Sequence, residues 1–205
     1  MNRRGLSLLE MTLSIGITAI IGTAIASMMA AASNSLTSKD DGRQSAIRLA
    51  TTQIRLGAYI APSRCILEKN NASITLWLED NKGGKSVHAS EVRWIQFDDA
   101  RNELTVKFVA FPGSWTQSMI DAADVEGDAF TNYKSLLDTF ELNGWIDSVP
   151  LVDSINSCSF WIDKSNPIEA TQISVRISLH STFGVTTDSI IDETIRLHQP
   201  PSEQQ

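Results

Sequence analysis

From Met11 to Ala32 the chain runs for 22 residues without a charged side chain, and the next charge is Lys39. No other feature limits the possible folds so sharply. As a helix rising about 1.5 Å per residue, 22 residues span about 33 Å, close to a hydrocarbon core of about 30 Å. Arg3 and Arg4 stand just ahead of this run. The positive-inside rule then puts residues 1–5 in the cytoplasm and everything after about residue 33 across the membrane.

A secretory signal peptide is the first rival, with Ala30-Ala31-Ala32-Ser33 as its cleavage site. Such peptides have an apolar region of about 7–15 residues, which this run exceeds. Glu10 also stands at the leading edge of the run. A carboxylate in a membrane segment costs about 2.5–3.5 kcal/mol at the helix centre and less near an end, so it implies a partner.

Arg3-Arg4-Gly5 followed by Leu6-Ser7-Leu8-Leu9-Glu10 resembles the cleavage and methylation motif of type IV prepilins. The resemblance implies that prepilin peptidase cuts between Gly5 and Leu6 and that Leu6 is then N-methylated. It also implies that Glu10, fifth in the mature chain, pairs with the N-terminal amine of an adjacent subunit during assembly. The spacing suits that chemistry. Leu6 and Glu10 are (i, i+4) neighbours on one helix face, and the new amine has a pKa of about 8 in water. In low dielectric neither charge is stable alone, so pairing rewards correct axial register. Two departures from the commonest pattern stand out. Leu6 replaces the usual Phe or Met, and Gly22 to Ser27 holds no helix-breaking proline. The second weakens an assignment to a major adhesive pilus.

The rest of the chain divides into an amphipathic continuation of the helix at 34–62, a β-rich domain at 63–199 and a polar tail at 200–205. Asp40-Asp41-Gly42 is a candidate bend. Ile47, Ala50, Ile54 and Ala58 recur on one helix face and are expected to pack onto a sheet, with the helix ending near Ile60 before Pro62. Strands are expected at 74–78, 92–97, 104–108, 157–162, 172–179 and 190–197, with a hairpin turn over Asp98 to Asn102. Residues 112–150 read as an insertion with a short helix at Tyr133 to Phe140. A helix followed by hairpin-connected strands is an α+β fold with an antiparallel sheet. This layout resembles the larger minor pseudopilins of type II secretion, the J component above all. The matching segments are Val92 to Phe97 with Leu104, then Val152 to Asp163, Pro167 and Ile173 to Leu179.

The resemblance implies a structural subunit and not an enzyme. Its partners are the inner membrane, prepilin peptidase and other pilin or pseudopilin subunits, with the globular domain periplasmic. The alternative is a minor pilin of a type IV or competence pilus whose domain binds DNA, a surface or a protein. The formal charge is −7, and loss of Arg3 and Arg4 makes it −9, so nucleic acid is not expected outside the competence case. No cofactor, small-molecule substrate or metal is expected. Cys65 and Cys158 form no metal-binding spacing. They are either a disulfide, worth roughly 4–5 kcal/mol in the chain-entropy model, or two buried thiols. His88, His180 and His198 are scattered. Asp98, Asp99 and Glu103 lack calcium-loop spacing, as do Asp121, Asp124, Glu126 and Asp128. Of the five tryptophans, Trp115 after Pro112-Gly113 is the candidate for an exposed contact.

Overall fold

The computed structural model describes residues 8–79, 82, 86–179 and 187–201, with side chains in the first helix described at 11–31 and from 43 onward. Among the described residues there are three α-helices: α1 (Leu8–Ile60), α2 (Gln117–Ala123) and α3 (Tyr133–Leu142). The strands are β1 (Cys65–Lys69), β2 (Ser73–Trp77), β3 (Val87–His88), β4 (Val92–Asp98), β5 (Glu103–Val109), β6 (Glu126–Gly127), β7 (Ile146–Val152), β8 (Ile155–Ile162), β9 (Gln172–Leu179) and β10 (Thr187–Thr194). Two short 3-10 turns, η1 (Ala89–Glu91) and η2 (Pro167–Glu169), complete the set. The fold is α+β, as its order of elements predicts. Two units are distinct, residues 1–44 and residues 45–205.

In the first unit, Met11–Ala31 is a 21-residue helical stretch of mean hydropathy 1.9 with none of it buried. Its hydroxyls are spent on its own backbone. Thr18 Oγ1 donates to the Ser14 carbonyl at 2.8 Å, Thr23 Oγ1 to Ile20 at 2.9 Å and Ser27 Oγ to Ala24 at 2.8 Å. Polar groups satisfied this way do not oppose transfer into lipid. Asp40-Asp41-Gly42 does not end α1, which continues to Ile60.

The second unit is built on a five-stranded antiparallel sheet in the order β1-β2-β4-β5-β7. Alternation along its strands divides the apolar residues between two faces. Ile66, Ile74, Leu76, Ile95, Leu104 and Val106 share one core with Leu56 and Ile60 of α1 and with the three-stranded sheet β10-β9-β8. Cys65, Leu67, Trp77, Val92 and Trp94 point the other way, into a smaller core closed by Tyr133 and Leu137 of α3. The β4–β5 turn is held by Asp98 Oδ1, which accepts from the backbone N–H of Ala100 (2.9 Å) and Arg101 (3.2 Å). Asn102 takes the left-handed conformation, with φ 54°.

The helix face is a correction. Leu56 and Ile60 are fully buried, with Leu49 and Tyr59 beside them, whereas Ile47 is 57% and Ile54 74% exposed. Ala50 and Ala58 also face outward. Larger side chains win the core, and Thr52 joins them at 1% exposure because its hydroxyl bonds the Arg48 carbonyl at 2.8 Å. The last strand also shifts. Ile195 and its successors leave β10, and the N–H groups of Arg196 and Gln199 pair with the carbonyls of Ala61 and Arg64.

Candidate functional site

Gly5 and Leu6 lie outside the described residues. Glu10 falls in the first turns of α1, and its side chain is likewise outside them. What the structure offers instead is the surface that follows. Every residue from Met11 to Ala31 is exposed, including Leu13, Ile15, Ile17, Ile20, Ile21 and Ile25 at 51–70%. Single exposed apolar residues are ordinary, but a contiguous patch of this size marks a contact with lipid or protein.

The paired-cysteine alternative does not form. Cys65 and Cys158 are both free and buried. They lie in different cores, Cys65 with the tryptophans and Cys158 with Phe160 and the α1 residues. One-residue alternation in β1 causes this, since Ile66 takes the shared-core side and turns Cys65 away from it. Burial pushes each thiol up to about 12 from an ordinary 9.0.

The acidic residues of the insertion have structural work. Asp124, whose side chain is fully buried, accepts from Ser90 N–H (2.9 Å) and Ser90 Oγ (2.7 Å) and pairs with Lys82 Nζ at 3.0 Å. Lys82 also reaches Asp121 at 3.1 Å. The bond to Asp124, reinforced by Asp121, holds the Lys82 ammonium above its usual range, while Gln117 and then Lys82 hold Asp121 low. Asp128 caps its own turn, accepting from Phe130 N–H at 2.9 Å and Thr131 Oγ1 at 2.9 Å. Protein donors, the Lys82 ammonium among them, satisfy these carboxylates. Among the described residues, no three His, Cys, Asp or Glu side chains converge in a metal-holding group.

Glu91, which the sequence does not single out, is a second buried carboxylate among the described residues, at 1% exposure. It accepts from Trp77 Nε1 (3.1 Å) and from the backbone N–H groups of His88 (3.1 Å) and Lys82 (3.2 Å). Together Glu91 and Asp124 pin η1 and Lys82 to the smaller core. Pairing by several donors is what makes a buried carboxylate tolerable. His88 stands beside them with Nδ1 buried and unpartnered among the described residues. His198 bonds the Ile168 carbonyl at 2.7 Å, and His180 lies outside the described residues. Trp94 Nε1 donates to the Tyr133 carbonyl at 3.0 Å, so Trp77 and Trp94 are core residues. Trp115 is half-buried, stacked on Phe111 at 5.8 Å and edge-on to Trp145 at 5.0 Å.

Two shallow grooves border the outer face of α1. One, of about 740 Å³, lies between Ile54, Gly57 and Ala61 and the segment Glu193 to Leu197. The other, of about 270 Å³, lies between Arg48, Thr51 and Arg55 and Pro150 to Asp153. Neither groove brings a nucleophile to a base. Both suit a docked chain better than an enclosed small molecule. Comparison with family models, curated proteins and solved structures finds no match to this chain.

Proposed function

We propose that the chain is a structural subunit of a pilus-like fibre, held in a membrane by residues 11–31 and processed between Gly5 and Leu6. One observation carries the reading: a 21-residue apolar helix with none of it buried, directly after Arg3-Arg4-Gly5 and Glu10 in the sequence. A bilayer covers the side chains that the protein leaves bare. Leu6 then supplies a charged amine and Glu10, four residues on, a carboxylate to meet the amine of a neighbour.

The finer reading is a minor pseudopilin of protein secretion, with prepilin peptidase, the inner membrane and other subunits as partners and the second unit periplasmic. It is supported by β4–β5, formed where the resemblance puts its first hairpin, and by β8, η2 with Pro167, and β9, formed where it puts strand, proline loop and strand. The test is the intact mass and N-terminal sequence of the protein extracted from membranes. The expected mature chain starts at methylated Leu6. A chain starting at Met1, or beyond Ala30, refutes the reading. Gly5→Val is expected to retain residues 1–5, and Glu10→Ala to be processed yet to assemble poorly.

A further inference from the structure

We propose that Asn143-Gly144, at the end of α3, is a site of self-modification. The Gly144 backbone nitrogen displaces the Asn143 side-chain amide as ammonia, and water opens the resulting ring to aspartate or isoaspartate. The opening of the last turn of α3 sets the rate. The site depends on that turn alone, whatever the chain assembles into.

The chain holds one Asn-Gly pair, and the fold puts it where a helix stops. Asn143 keeps helical angles, with φ −82° and ψ −7°, and Gly144 turns left-handed at φ 71°. Gly144 N–H then donates to the Glu141 carbonyl at 3.0 Å, and Trp145 N–H to the Phe140 carbonyl at 3.0 Å. These two bonds, with the Phe140 and Trp145 rings 5.8 Å apart, make a glycine helix stop with its usual apolar contact. Among the described residues nothing lies within 4 Å of where a Gly144 Cβ would stand. The backbone angle, not crowding, therefore demands glycine. That demand exposes Asn143 to chemistry, because a nitrogen on a residue without Cβ is the least hindered nucleophile a backbone offers.

Ring closure forms a bond from Gly144 N to Asn143 Cγ and breaks the Cγ–Nδ2 bond. The leaving amide takes the Gly144 proton and departs as ammonia. Water then adds to one of the two ring carbonyls. Attack at Cγ gives aspartate in an unchanged backbone, and attack at the main-chain carbon gives isoaspartate, with the chain routed through Cγ. No electrons are exchanged, and water is the only reactant consumed.

The helix stop holds this reaction back. A five-membered ring needs the Gly144 nitrogen on the same side of the Cα–C bond as the Asn143 Cβ. At ψ −7° it lies instead beside the Asn143 backbone nitrogen, with Cβ roughly 120° around that bond. Turning ψ so far breaks both bonds of the stop, so the reaction waits on local opening. Glu141, Leu142, Asn143 and Gly144 are all exposed, and exposed helix ends open at low cost.

The product does not fit the turn. Its carboxylate falls at the negative end of the α3 dipole, two residues after Glu141 and four before Asp147. Isoaspartate also lengthens the backbone ahead of Trp145. The Trp145 carbonyl accepts from Ala110 N–H at 2.7 Å, and its ring packs on Trp115 at 5.0 Å. Modification therefore loosens the aromatic cluster from α3 and leaves a lasting mark of the chain's age.

The test is peptide mapping by mass spectrometry of the full chain kept in detergent at alkaline pH, with isoaspartate scored by enzymatic methylation. Asn143 is expected to convert in the folded chain ahead of every other asparagine, and several-fold more slowly than in the same chain unfolded in urea. Leu142→Gly, at an 89% exposed position of the last turn, is expected to speed conversion about fivefold. Urea below the unfolding transition is expected to speed it in the wild type without a mutation. An Asn143 that stays intact in the folded chain while the unfolded chain converts overturns the proposal. So does conversion at equal rates folded and unfolded, another asparagine reacting first, or a rate that stays level in Leu142→Gly and in sub-denaturing urea.

Discussion

Raising the pH should unfold the second unit through its two buried thiols. Cys65 is fully buried and Cys158 is 6% exposed. Burial lifts both from 9.0 to about 12. A raised folded-state value means that the protonated form is preferred in the fold. That contribution is whole below the unfolded value near 9, and it is lost as the pH climbs towards 12. Between pH 8 and pH 11 the loss is about 3 kcal/mol per thiol, on the order of 5–6 kcal/mol for the pair. That rivals the whole 5–15 kcal/mol stability of an ordinary domain. All five tryptophans follow residue 44, so their fluorescence in detergent-solubilised full chain follows the second unit alone. Urea midpoints taken from pH 8 to 11 should fall steeply for the wild type and much less for Cys65→Ala/Cys158→Ala. Burial also raises Tyr133, which adds to the fall in both proteins and cancels from the comparison. Equal pH slopes for the two proteins would refute the reasoning. A disulfide-linked monomer on a non-reducing gel would remove its premise.

Leu56→Ala should cost about 2–5 kcal/mol, because it opens a cavity in the shared core. Ile54→Ala, two residues earlier, should stay within about 0.5 kcal/mol in detergent. A urea titration of the pair separates the inner face of α1 from the outer one. Glu91→Ala should cost about 1–3 kcal/mol by leaving Trp77 Nε1 buried without its acceptor. The same variant should shift the tryptophan emission of the folded state, and unchanged stability would mean that Glu91 is not what holds Trp77.

The fold class, the β4–β5 hairpin, α3 and β9 are legible because each is local. Alternation over Val92 to Phe97 and the Asp98 to Asn102 turn carry their own geometry, and Asp98 makes the turn bonds its residue type suggests. β1 is short and squeezed between Pro62 and Asn70. β7 hides behind Asp147, Ser148 and Pro150, residues a central strand would not tolerate. It is the edge of its sheet, where proline and exposed polar side chains are permitted. The Glu91 and Asp124 anchors were invisible for another reason. Their partners lie at Trp77, Lys82 and Ser90, and nothing in the sequence states that the chain folds those positions together.

The helix face is the instructive failure. Periodicity reports which positions are apolar, but not which neighbour covers them. From Ser45 to Ile60 two stripes compete, Ile47-Ala50-Ile54-Ala58 and Leu49-Thr52-Leu56-Tyr59. Counting apolar letters favours the first, since Thr52 spoils the second. Volume and backbone bonding reverse that choice: leucine and tyrosine fill a core that alanine cannot, and Thr52 satisfies its own hydroxyl on Arg48. A helix that needed only one partner would have placed charge on the losing stripe, as Arg48 and Arg55 show it can one step around the surface. The losing stripe instead stays uncharged through about three turns.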